Sequence, residues 1–499
     1  MAGYVAAVPL PLRARRTTPA VARGATLLTS AAALVLATVL AGGSTVPVAV
    51  AVAAAGPTGS RGGEGIGDAY FPLDGNGGID VRHYAVHDRY DLASGRLSGW
   101  TRVTLRATED LRRFDLDLVL PASGVLVDGR RAEHRQPDGH ELRITPDRPL
   151  RAGTVHEVVV RYAGRPGSIR WGGASPWLAD EHEVIAAGQP HIAPWWFPAN
   201  DHPRDRARMD LHLTVPRGRQ VVANGRLVGS RHHGRLTTTH WRVSDPLAPY
   251  LAFFAAGSFQ VERSRSQGVA WYSAVSHRLP ASDRERSMRL MRRTPRVVAW
   301  LARELGPYPF DSGGGVTTSL PMGFALENQT RPTYPVLGAD AQSILVHEVA
   351  HQWFGDSVAV HSWRDIWLNE GAASYVEKRW DETHGGPSAQ AWLRDTYAEQ
   401  SGNAAFWDLR IDDPGRDAMF AWPVYQRGAM TMQALRHRVG VDTFERLLRT
   451  WVSTRAGRTG SSEQFEQLAA RLSGEDLTSF FDAWLRAPEA PERVAANGL

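Results

Sequence analysis

From Asp68 to about Phe259 apolar residues recur at every second position, and past about Val261 they recur every three or four. Val103, Leu105 and Ala107 alternate with polar neighbours, as do Phe114, Leu116, Leu118 and Leu120; VHEVVVRY from Val155 and DLHLTV from Asp210 follow the same rule. A period of two puts successive side chains on opposite faces of a sheet, so one face can be buried while the other stays wet. Asp128-Gly129 and Asp138-Gly139 supply turn residues between such runs. The first part therefore predicts an antiparallel β domain with one solvated face.

In the second part Asp340 can cap a helix that carries Ile344, Leu345, Val349 and Ala350 on its apolar side. The run from Arg427 to Val439 ends at Gly440, a C-cap residue, and Ser461 with Gln464 reads as a capping box. The expected fold class is multidomain α+β: an N-terminal β domain over residues 68–260, a mainly helical domain over 261–486, and a short polar tail over 487–499. A chain of 499 residues, 43 % apolar and with 17 Trp, has enough apolar side chain for such cores.

The first 55 residues hold Arg13, Arg15, Arg16 and Arg23, no acidic residue, and the apolar run ATLLTSAAALVLATVLAGG from Ala25. That order reads as a signal peptide over residues 1–55, with small-residue cleavage sites such as Ala51-Val52-Ala53, and so as a secreted, extracellular protein. Membrane attachment is expected only if this segment is retained as an anchor. GPTGSRGGEGIG, residues 56–67, reads as a flexible linker. Removing the four arginines takes the formal charge from +5 to +1, so net charge gives no support to a nucleic-acid partner. The run RERSMRLMRRTPR from Arg284 is a solvated helix face. With no cysteine there is no disulfide, and an exported chain must hold together by packing. Among the basic residues only Lys378 is a lysine, a bias that points to a GC-rich bacterial genome.

The chemistry lies in VHEVAHQWFGDSV, residues 346–358. In a helix His347 and His351 lie one turn apart on one face, so their imidazoles converge on a single zinc ion. Glu348 points beside that position, where a carboxylate can take a proton from water. Eighteen residues separate His351 from Glu370 in WLNEGAASYVE, a second helical stretch. Two histidines and a glutamate leave one tetrahedral position open, the pattern of a catalytic zinc site with one ion per chain.

HEVAHQWFGDSV followed by WLNEGAASYVE resembles the aminopeptidase N family of zinc metallopeptidases. FPLDGNGGIDVRHYAVHDRYDL from Phe71, WWFPANDHPRDRARMDLHLTVP from Trp195 and NGRLVG from Asn224 resemble that family's saddle-shaped β domain. The likeness runs from about Asp68 to Leu485. It implies a thermolysin-like catalytic domain and peptide substrates. The loop GFALENQTRP stands where the family has Gly-x-Met-Glu-Asn, which implies that Glu327 binds the substrate's free α-amine and that Ala325 and Asn328 line the same subsite. Tyr425, in VYQRGAMTM, stands where the family's tyrosine donates a hydrogen bond to the oxyanion.

Three departures bear on specificity. Phe324 and Leu326 replace the loop's Gly and Met. Gln189, in GQPHIAPWWFP, falls where many relatives carry a second amine-binding glutamate. The chain stops soon after Trp484, without the large helical C-terminal domain of longer relatives. The resulting expectation is a secreted zinc aminopeptidase. An endopeptidase or epoxide hydrolase on the same zinc scaffold, and a secreted binding protein that has lost catalysis, stay open as alternatives. The sequence leaves the oligomeric state unknown.

Overall fold

The computed structural model describes residues 59–338 and 341–499. The expected signal segment, residues 56–58 and Asp340 lie outside the described residues.

An eight-stranded sheet forms the body of the β domain. Its spatial order is Arg226–His233, Leu236–Leu247, Ala207–Pro216, Ile79–Asp91, Arg96–Ala107, Val155–Gly164, Ala122–Val127 and Arg130–Arg131. Alternation decides which face is covered: Val81, Tyr84, Val86, Val103, Leu105, Val158, Val160, Leu211 and Leu213 are buried, while Arg82, Thr104, Val159 and His212 between them are exposed or half-buried. All but one of the pairings in this sheet are antiparallel, as expected. The exception joins Ala207–Pro216 to Ile79–Asp91 in parallel, with Leu211 opposite Val86. Asp128 and Gly129 both take positive φ, 50° and 77°, and turn Ala122–Val127 back onto Arg130–Arg131.

Two four-stranded sheets flank this body. One runs Trp177–Ala179, Val184–Ala186, Phe254–Gly257, Gln220–Ala223 and is antiparallel throughout. The other contains Leu111–Asp117 and Glu141–Thr145, and Ser60–Arg61 joins its edge in parallel. Paired structure thus begins inside the Gly-rich stretch, before Asp68. Leu118 and Leu120 are buried but lie beyond the end of the strand at Asp117.

The second part is mainly helical around a small sheet of Phe259–Ser266, Val269–Ser276, Ser312–Thr317 and Thr333–Tyr334, whose last three strands run parallel. The arginine-rich run covers helices Ala281–Met291 and Thr294–Leu305; Arg286, Arg289, Arg292 and Arg293 face solvent, and Arg292 pairs with Glu262 and Glu285. Ser461 and Gln464 form the expected capping box on Ser462–Ser473, and Trp422–Val439 ends at Gly440, φ 80°. The polar tail packs back: Tyr397 OH donates to Pro491 O at 2.6 Å and Trp484 Nε1 to Asn497 O at 3.0 Å. Among the described residues no helix is long and apolar enough to cross a membrane.

Candidate zinc centre and amine subsite

Helix Ala341–Ala350 carries His347 and Glu348, and His351 follows in the turn that continues it, with its N–H on His347 O at 3.2 Å. Helix Trp367–Thr383 brings Glu370 against them: Glu370 Oε2 lies 3.4 Å from Nε2 of both His347 and His351. Donors about 2.0–2.1 Å from a tetrahedral ion stand about 3.3–3.4 Å apart, so this spacing suits zinc. The opposite ring nitrogens are already engaged. His347 Nδ1 faces Glu377 Oε1 at 2.8 Å and His351 Nδ1 faces Phe354 O at 3.0 Å. Donation from Nδ1 fixes the tautomer that leaves each Nε2 lone pair toward Glu370. Burial raises the Glu370 carboxyl, but the neighbouring His351 and His347, when protonated, outweigh it and lower it to about 2. The donor set fits a zinc ion.

Glu348 is 6 % exposed, and burial pushes its carboxyl up to about 8 against the pull of His347 and His351. Glu327, Glu348 and His351 bring donor atoms within 4.8 Å of one another. Glu327 and the glutamate of the HExxH motif therefore share one small volume. Gln189 Nε2 donates to Glu327 Oε1 at 2.9 Å, so these two sequence-predicted residues do meet. Tyr425, on Trp422–Val439, lies with its ring 6.0 Å from that of His347. Burial, then the charges of Glu370, Glu327 and Glu348, hold its phenol well above the ordinary value, so it stays a proton donor.

One predicted residue, Asn328, is engaged elsewhere. The Asn328 amide donates to Leu251 O at 3.1 Å and the residue is fully buried, so it anchors the loop to the β domain instead of facing the metal donors. Ala325 is partly buried against the core beside Phe324. Arg427, two residues after Tyr425, points away from the centre. It donates to the carbonyls of Trp484, Trp407, Leu409 and Ala487 at 2.7–2.9 Å, and so ties the tyrosine helix to the C-terminal segment.

Several positioning residues had no assigned role in the sequence reading. Gln352, next to His351, donates to Glu327 O at 3.2 Å and accepts from Thr330 N at 2.7 Å, coupling the segment of His347 and His351 to the Glu327 loop. Asn224 donates to Leu251 O at 2.9 Å and Gln329 O at 3.0 Å, and Gly225 N donates to Thr330 Oγ1 at 2.8 Å. Thr330 itself takes φ 70°, a left-handed conformation these bonds secure. Glu377 lies two turns after Glu370 on the same helix, and that spacing was its one signal.

A model of the Peptidase family M1 domain matches residues 336–484, the segment that holds the three metal donors, Glu348 and Tyr425. The M1 zinc metallopeptidase of Deinococcus radiodurans aligns over 86 % of this chain and 100 % of its own, with 28 % identity and a TM-score of 0.76. Residues 336–484 thus match the M1 peptidase domain, and the chain as a whole is similar to M1 zinc metallopeptidases. Among curated M1-like relatives, aminopeptidase M1-B of Oryza sativa subsp. japonica is 25 % identical over 59 % of the chain, and leucyl aminopeptidase of Saccharolobus solfataricus 19 % identical over 84 %. The chain spans 36 % and 55 % of the lengths of those two relatives. In the solved two-domain neighbour, by contrast, the whole chain is matched, and a mutant of that enzyme is known with a Tyr-Ser-Ala substrate bound.

Proposed function

We propose that this protein is a secreted zinc-dependent aminopeptidase that hydrolyses the first peptide bond of peptides. One observation carries the reading: Glu327 is buried, 2 % exposed, hydrogen-bonded by Gln189, and within 4.8 Å of donor atoms of Glu348 and His351. A buried carboxylate at that distance from the reacting centre is matched by a cation, and a peptide's terminal ammonium is a cation one residue from its first peptide bond. Export rests on the basic and apolar order of residues 1–55.

His347, His351 and Glu370 would hold the zinc ion. When bound there, zinc supplies Lewis acidity toward a carbonyl oxygen and makes water more acidic. Glu348 takes the proton from the attacking water; a neighbouring dication would pull its raised pKa down into the range of a base. The Tyr425 phenol donates to the oxygen of the carbonyl as negative charge develops on it. Glu348 then passes its proton to the leaving amine, while Glu327 and Gln189 hold the N-terminus in register.

The test is a panel of aminoacyl amides and short peptides with and without a zinc chelator. Hydrolysis that is lost on chelation and restored by zinc supports the reading; chelator-resistant hydrolysis, or none on any free-amine substrate, overturns it.

A further inference from the structure

Asp117 and Glu141 stand directly opposite each other on the antiparallel strands Leu111–Asp117 and Glu141–Thr145. They are 0 % and 1 % exposed. Two acids facing across a strand pair repel, and burial raises the cost of each charge. Among the described residues no arginine or lysine lies within ion-pair distance of either.

His140 lies between them, with Nε2 3.6 Å from Asp117 Oδ1 and Nδ1 3.3 Å from Glu141 Oε1. Neither approach is a hydrogen bond. Both His140 nitrogens, Asp117 Oδ1 and both Glu141 oxygens are buried without a hydrogen-bond partner, and His140 is 0 % exposed. The three side chains offer donor atoms that all lie within 4.8 Å of one another. Buried polar groups are nearly always satisfied, and one ion can take one His140 nitrogen, Asp117 Oδ1 and a Glu141 oxygen at once, so these orphaned atoms point to a common partner.

The surroundings hold these side chains in place. Asp117 Oδ2 accepts from Asp201 N at 2.6 Å and from Asn76 Nδ2 at 3.3 Å, which leaves Oδ1 as its free donor atom. The Trp171 indole lies flat on the His140 ring at 3.7 Å, with 6° between planes. Asp138 Oδ1 accepts the backbone N–H groups of both His140 and Glu141.

We propose that Asp117, His140 and Glu141 bind a second divalent transition-metal ion, zinc or manganese, in the β domain, distinct from the HExxH centre. One imidazole and two carboxylates form a neutral complex with a dication, and a mixed nitrogen and oxygen set suits these ions better than calcium, which takes oxygens alone. The site would also brace the active centre at a distance. Asp117 fixes the backbone of Asp201, and Asp201 Oδ2 lies 3.6 Å from His191, two residues after Gln189.

The test uses the full chain carrying His347→Ala and His351→Ala, which removes both imidazoles of the HExxH centre. After equilibration with Zn2+ or Mn2+ and desalting, this variant is expected to keep about one equivalent of metal, and its unfolding temperature to rise with metal concentration. Adding Asp117→Asn and Glu141→Gln should abolish both effects. Anomalous diffraction at the zinc edge from zinc-equilibrated wild-type crystals should show two peaks, one of them among Asp117, His140 and Glu141, which keeps the test valid if the variants fold poorly. A His347→Ala/His351→Ala chain that retains neither metal, or wild-type crystals with a single peak, would overturn the site. Retention of Ca2+ alone would overturn the role given to His140.

Discussion

Gly371 and Gly428 meet where the helix carrying Glu370 crosses the helix carrying Tyr425: a Cβ built on either glycine would stand 2.8 Å from the other's Cα. Each glycine directly neighbours a working part, Gly371 following the metal ligand and Gly428 following Arg427. The close crossing therefore sets the distance between zinc donor and tyrosine. Gly428→Ala is expected to destabilise the chain by about 1–3 kcal/mol, the usual range for overpacking, and to lower turnover by spreading the two helices. Thermal unfolding and steady-state kinetics on the same preparation check this.

Glu348→Gln keeps size and shape but removes the base. The variant is expected to bind zinc as the wild type does while losing about 10²–10⁴-fold in kcat, the range for a general acid–base group. Zinc content by elemental analysis beside hydrolysis of an aminoacyl anilide separates these two effects. Wild-type turnover in this variant would remove Glu348 from the mechanism.

Tyr425→Phe removes only a hydroxyl, and the ring can still pack beside His347. Its expected effect is a fall in kcat of about 10²–10³-fold, the scale of one oxyanion donor, with KM little changed. A rise in KM at constant kcat would mark Tyr425 as a binding group for the ground state instead.

Asp88, far from the centre, gives the pH dependence of stability a testable component. Desolvation pushes its buried carboxyl up to about 8, although Tyr162 OH donates to it at 2.8 Å. In the unfolded chain the same group titrates near 3.9, so the folded state holds the proton more tightly. The stability it contributes is full below about pH 4 and is lost as pH rises through about 8. Asp88→Asn keeps an acceptor for Tyr162 and cannot ionise. The unfolding temperature of the wild type should therefore fall relative to that of Asp88→Asn as pH is raised across that window.

The sequence disclosed what local pattern controls. Alternation at Val103, Leu105 and Ala107 located a strand, and the spacing of His347 and His351 located two metal donors, because each follows from the period of one element; Glu370, on a second helix, was found from WLNEGAASYVE. The parallel contact between Ile79–Asp91 and Ala207–Pro216 was not legible, since it depends on how strands far apart in the chain meet. Nor were the roles of Arg427 and Asn328, polar residues whose partners are backbone carbonyls of distant segments. Asp117 and Glu141 look like ordinary strand acids until pairing sets them face to face. The resemblance to the M1 family pointed to Glu327 and Gln189, and the hydrogen bond between them joins two residues 138 apart in the chain.

The most direct test of the account is the ratio of kcat/KM for a free peptide to that for its N-acetylated form, measured in the wild type and in Glu327→Gln. The account predicts a strong wild-type preference for the free amine that collapses when Glu327 loses its charge, with zinc content unchanged. A wild-type preference for the blocked peptide, or an undiminished free-amine preference in Glu327→Gln, would contradict it.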